Sequence, residues 1–282
     1  MCLLIALSGV VPGAPLIVAA NRDEFYQRPA VTMTTLRDAG PRVLGGRDEL
    51  AGGTWLAVNE HGVVAGLTNQ PAPGGRDLTK RSRGELPLAF TAYDSAEEAV
   101  TRVCATLDPA AYNPCWLLVG DRHALYSVGL VPAQAGGPRP EVERLPPGVH
   151  VLENLPLRAR SAKVDQVTAM VSRELAARED QGQAGAVDVL AAVLRDHQPA
   201  VSAPEPPAQP GGRARPAALT AACVHTTEFE YGTRSALIVT VPDAGPPRLR
   251  VADGPPCQVP LEDMTALWEG PAVAGGARRR LD

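Results

Sequence analysis

The chain has 282 residues, 45% of them hydrophobic and 21% charged, which excludes global disorder and is enough to bury a core without disulfides or metal. A formal net charge of −4 argues against a nucleic-acid partner, which calls for a basic face. The five cysteines are odd in number and widely spaced without a Cys-x-x-Cys pair, and five histidines show no ligand spacing, so neither a disulfide framework nor a structural zinc or other metal site is expected.

Residues 1–20 carry no charge, and Val18-Ala19-Ala20 has the small side chains of a signal-peptidase site. No Lys or Arg precedes this apolar run, and Pro12-Gly13 and Pro15 interrupt it, so two strands fit better than a signal or a membrane span. They are expected over residues 2–7 and 16–20, with a turn at 9–15, in a cytoplasmic protein. Asn21-Arg22-Asp23-Glu24 would directly follow the second strand, either as a solvated turn or as polar partners brought up to Cys2.

Gly45-Gly46 and Gly52-Gly53 are expected to give backbone freedom around an Arg47-Asp48 turn pair; neither is followed by the Lys-Ser/Thr of a phosphate loop. Trp55 is expected in the core. A hairpin is expected over 54–59 and 63–68, around Glu60-His61-Gly62. Ser95 followed by Glu98 is a capping box opening a helix to about residue 106, with Ala96, Ala99, Val100 and Val103 on its buried face. Strands at 115–120 and 124–128 flank an Asp121-Arg122-His123 turn, and 149–153 forms a short strand. Apolar spacing predicts helices from 162 to about 178 and over 186–196. Residues 199–216 hold six prolines and are expected to form a surface loop. Strands resume at 221–225, 235–241 and 248–252. The expected organisation is one α+β domain over 1–270 with a frayed tail at 271–282.

Cys2 carries the first chemical signal. Loss of Met1, favoured by a small second residue, would leave a thiol and a free α-amine on one residue. With reference pKa values of about 7.7–8.0 for the amine and about 8.5 for the thiol, the amine can take the thiol proton near neutral pH, and no histidine is required. Arg22 would then stabilise the thiolate and Asp23 would hold the amine by a charge-assisted hydrogen bond.

Met1-Cys2 with Asn21-Arg22-Asp23-Glu24-Phe25 and Arg28-Pro29 resembles the NRDE family, also called the transport and Golgi organisation family. The resemblance continues through Gly45-Gly46-Arg47-Asp48, Ala51-Gly52-Gly53-Thr54-Trp55-Leu56, Ser82-Arg83-Gly84 and Tyr231-Gly232-Thr233-Arg234-Ser235. Cys223-Val224-His225 and the proline-rich stretch depart from the pattern. The family is similar to N-terminal nucleophile hydrolases that cleave bile-salt and penicillin V amides. That similarity implies a four-layer αββα sandwich, Cys2 as nucleophile, and Asn69 and Asn154 as oxyanion donors, with Arg22, Asp23 and Arg234 completing the catalytic set. Read alone, Asn69 and Asn154 equally fit turn or cap residues, and Arg234 an ion-pair partner on a strand.

Two functions follow. One is a hydrolase that cleaves a linear non-peptide amide through an acyl-Cys2 intermediate and needs no cofactor. The other is a carrier for haem or for an acyl-CoA or lipid, as eukaryotic relatives imply. Either takes a small amide or a hydrophobic ligand as its partner; oligomeric state is open.

Overall fold

Every residue from Leu3 to Leu7 is buried, because β1 (Cys2–Val11) has a packed layer on each face. Successive side chains along a strand point to opposite faces. Leu4 and Ala6 therefore join Leu16 and Val18 between two sheets, while Leu3, Ile5 and Leu7 pack with Ile17 and Ala19 under helices. This double burial is why the sequence reads as continuous apolar runs instead of alternation.

The computed structural model describes residues 2–38, 40–71, 74–131, 139–159, 161–200 and 216–270. The first sheet holds β1 between β10 (Gly148–Leu152) and β2 (Ala14–Phe25), followed by β12 (Tyr231–Val241), β13 (Arg248–Ala252) and β14 (Glu262–Asp263); the short β11 (His225–Thr226) also pairs with β12. The second runs in chain order from β3 (Ala30–Arg37) through β4 (Val43–Asp48), β5 (Leu56–Asn59), β6 (Val64–Asn69), β7 (Cys115–Gly120) and β8 (Leu125–Leu130) to β9 (Glu141–Leu145). All their pairings are antiparallel. The helices α1 (Glu85–Phe90) and α2 (Ala96–Thr106) cover the second sheet, and α3 (Ala162–Ala176) and α4 (Gly182–Leu194) cover the first. The result is the four-layer αββα sandwich. Among the described residues, no helix is long and apolar enough to cross a membrane.

Ser95 caps α2 by accepting from the Glu98 N–H at 3.2 Å, and Ala96, Ala99, Val100 and Val103 are its buried residues, as the capping box predicts. Three expectations need correction. The first turn tightens to Pro12-Gly13, and β2 runs on to Phe25, so Asn21-Arg22-Asp23-Glu24 lies inside a strand and not in a solvated turn. The cause is β12, which pairs with β2 as far as Tyr231 opposite Phe25. Residues 221–224 of the expected strand are not strand, because backbone groups there bond elsewhere: Ala222 O accepts from Asn21 Nδ2, and Cys223 N–H donates to Asp196 O. Finally, Gly45-Gly46 serves close approach and not backbone freedom; a Cβ on Gly46 would overlap the Trp55 ring. Residues 201–215 of the proline-rich stretch and the tail 271–282 lie outside the described residues.

Candidate active site

Strand register brings the candidate residues to one end of the sandwich. Cys2 opens β1 directly opposite Arg22 of β2. On its other side β1 pairs with β10, ending at Leu4 opposite Leu152, so Asn154, two residues further on, reaches the level of Cys2. From the facing sheet, β6 crosses beneath, with Gly66 under Leu4, and its end is tied to the same segment. Thr68 Oγ1 donates to Glu153 O at 2.7 Å, and Asn154 Nδ2 donates to Asn69 O. Arg22, Asn69 and Asn154 thus converge around the Cys2 backbone. The Cys2 side chain lies outside the described part of the structure.

Arg22 is 4% exposed, and its guanidinium sits over Trp55, 4.5 Å from the ring centroid. Its other partner is Asp48, with Oδ2 at 3.5 Å; the same oxygen accepts from Arg28 Nε at 2.7 Å. Oδ1 of Asp48 accepts the N–H groups of Leu50 and Ala51. Burial alone would raise the Asp48 carboxyl, but the Arg28 hydrogen bond, the Ala51 N–H and the two guanidinium charges outweigh it and hold the pKa below the usual carboxylate value. Trp55 is therefore a platform for Arg22 as well as a flank of the core.

Asp23 faces the other way. Its Oδ1 accepts from Thr233 Oγ1 at 2.7 Å, and Oδ2 lies 3.9 Å from Nζ of Lys163, a buried lysine on α3. Its neighbour Asn21 donates to Leu194 O and Ala222 O at 2.9 Å each, pinning the end of α4 to β2. Arg234 occupies the irregularity between Thr233 and Ser235 and donates to the carbonyls of Phe25 and Tyr26. It fixes the end of β2 and does not line the cavities below.

Two concavities share Glu24, Asn69, Arg76 and Arg83. The smaller, about 110 Å³, is polar and is walled by Arg22, Asp48, Thr54 and Trp55. The larger, about 570 Å³, is mostly apolar, with Phe25, Pro71, Leu219, Phe229 and Tyr231 in its wall and Asn69 and Asn154 at its edge. Phe25 and Tyr231 meet edge to face, with ring centroids 5.3 Å apart. A polar corner opening on an apolar cleft suits attack on a carbonyl attached to an apolar group.

Sequence reasoning missed three features. Asp48 was expected as a turn residue, yet it anchors Arg22; only an acid between glycine pairs hinted at it. Lys163, one of two lysines in the chain, is buried beside Asp23, a contact its helix periodicity could not signal. Sequence spacing also gave no sign of the full cluster that the fold assembles: His197, Cys223, His225 and Cys257 place one potential ligand atom each within 4.8 Å of one another. The Cys223-Val224-His225 spacing was the visible clue, while the other two side chains come from remote segments.

A family model described as Transport and Golgi organisation 2 matches residues 1–250. The human Transport and Golgi organization protein 2 homolog is 31% identical over 234 residues, covering 80% of this chain and 82% of that protein. Among solved structures, a mutant conjugated bile acid hydrolase from Clostridium perfringens gives a TM-score of 0.53 at 10% identity, covering 94% of this chain and 92% of its own. An N-acylethanolamine-hydrolyzing acid amidase ortholog from Caenorhabditis elegans gives 0.50 at 12% identity, covering 86% of this chain and 94% of its own. At these identities the likeness is one of fold, that of the N-terminal nucleophile hydrolases.

Proposed function

Because the chain belongs to the Transport and Golgi organisation 2 family and has the N-terminal nucleophile hydrolase fold, we propose that it is a cysteine amidohydrolase acting on a linear, non-peptide amide. The observation that carries the reading is the register: Arg22 and Asn154 stand level with Cys2 on either side, and Asn69 reaches them from the facing sheet.

With Met1 removed, the α-amine of Cys2 accepts the thiol proton, and Arg22 favours the thiolate. The sulfur adds to the amide carbonyl carbon, and the electron pair moves onto oxygen. Each asparagine amide has two N–H groups, and Asn154 spends one on Asn69 O. Its second N–H and the Asn69 side chain supply the oxyanion donors without a charge to bury; one such donor contributes about 3 kcal/mol. As the oxyanion collapses, the C–N bond breaks, the protonated α-amine gives its proton to the leaving nitrogen, and an acyl-Cys2 thioester remains. Water, deprotonated by the same amine, then releases the carboxylic acid and restores the thiol. Asp23 lies in the adjacent strand beside Arg22 and would hold the α-amine; Arg234 would fix the Phe25 lip of the cleft.

The apolar wall of Phe25, Leu219 and Phe229 suits an apolar acyl or aryl group, and Arg76 and Arg83 suit an anionic end on the substrate. The test is amine release from a panel of N-acyl amides with apolar acyl chains. Wild type should turn over, and Cys2→Ala should not, at an unchanged melting temperature. Equal rates in both would remove Cys2 as the nucleophile.

The same cleft favours a second reading, a carrier for acyl-CoA or a lipid. Its described lining has no His, Cys or Met, and the hydroxyl of its one tyrosine, Tyr231, donates to Asp23 O at 2.8 Å, so the cleft suits an acyl chain better than haem ligation. Saturable acyl-chain binding without turnover, unaffected by Cys2→Ala, would favour the carrier over the enzyme.

A further inference from the structure

Four side chains of metal-ligating type, none of them in the lining of the apolar cleft, converge from three parts of the chain. His197 follows α4, Cys223 and His225 lead into β12, and Cys257 sits in the turn after β13. We infer that His197, Cys223, His225 and Cys257 form a tetrahedral site of two cysteines and two histidines for a zinc ion.

The distances suit this geometry. His225 Nε2 lies 3.5 Å from Cys223 Sγ and 3.3 Å from Cys257 Sγ. With Zn–S near 2.3 Å and Zn–N near 2.0–2.1 Å, the N···S edges of a tetrahedron come to about 3.5 Å. The His197 and His225 rings lie 5.0 Å apart between centroids at 49°, as two imidazoles converging on one centre would. Two thiolates and two neutral imidazoles form a soft donor set that selects zinc over the hard cations calcium and magnesium.

The three segments are held in place by bonds that do not involve the ligand atoms. Cys223 N–H donates to Asp196 O at 2.8 Å, beside His197. Arg195 Nε donates to Pro256 O at 3.0 Å, beside Cys257. Val224 N–H donates to Thr233 Oγ1 at 2.8 Å, while Thr233 N–H returns to Val224 O at 2.7 Å. Gly232 allows this approach; a Cβ there would lie 2.5 Å from Val224 O. Cys223 is buried, His225 and Cys257 are half-buried, and His197 is exposed, so a cation can enter from the His197 side. His197 and Cys223 bracket the proline-rich stretch, and the ion would clamp its two ends together.

Zinc content by elemental analysis of the full-length protein, expressed with zinc and desalted, tests the site. Wild type and Cys2→Ala should each hold about one equivalent. Cys257→Ser should lose it, and so should His197→Ala, whose exposed position keeps the fold intact. Cobalt put in place of zinc should show the visible bands of tetrahedral coordination and a thiolate-to-cobalt charge-transfer band. Zinc-free wild type after reconstitution, equal zinc in Cys257→Ser, or a Cys223–Cys257 disulfide in fresh protein would each overturn the assignment.

Discussion

Arg22 and Asp23 are adjacent in β2 and serve opposite faces of it. Arg22 lies between the sheets, against Trp55 and Asp48, while Asp23 faces α3, where it meets Thr233 and Lys163. A pleated strand makes this separation unavoidable, since neighbouring side chains alternate. The cationic group is thereby kept in the polar corner of the site, and the acid is tied to the strand and helix that hold β2.

Asp48 is the counter-charge shared by Arg22 and Arg28 in that corner. Asp48→Asn should leave Arg22, 4% exposed, without its counter-charge and cost about 3 kcal/mol in urea unfolding at neutral pH. The Asp48 pKa is lowered from 3.8, so its stabilisation is complete above that value and is lost as pH falls through the lower folded one. The gap between wild type and Asp48→Asn should therefore close in acid; a gap that persists there would contradict the ionic account.

In the proposed mechanism Asn154 donates to the oxyanion through its second N–H. Asn154→Ala should lower kcat by about 10²–10³-fold with KM little changed. A mutant that raises only KM would show that Asn154 positions substrate instead.

Gly46 makes room for the indole under Arg22. Gly46→Ala should overfill the space against Trp55 and cost about 1–3 kcal/mol. Tryptophan fluorescence should shift with it. A silent substitution would mean that the Trp55 platform has slack.

Thiol reactivity should separate Cys2 from the core cysteines. Burial pushes Cys104 up to about 11 and Cys115 up to about 12, so both stay neutral thiols at pH 7 and become nucleophilic only as pH rises far above it. Brief treatment with iodoacetamide at neutral pH should modify Cys2 first. Equal modification of Cys115 would contradict its burial.

The elements legible in the sequence were those with a local signal. Ser95 and Glu98 announced α2 because a capping box acts within one turn, and the apolar stripe from Val164 to Val171 announced α3. The full length of β2 was not legible, because its polar end is stabilised by β12, about 200 residues away in the chain. Arg22 was named from its place at the end of the second strand, Asn69 and Asn154 through family resemblance, and register then brought the three together. The roles of Asp48 and Lys163, and the His197–Cys257 cluster, depend on contacts between remote segments that no local pattern encodes.

The most direct test is mass spectrometry of the N-terminal peptide after incubation with an electrophilic lactam. The account predicts a peptide lacking Met1 and carrying one acyl group on Cys2. A peptide that retains Met1, or an acyl group found on another residue while Cys2 stays unmodified, would contradict it.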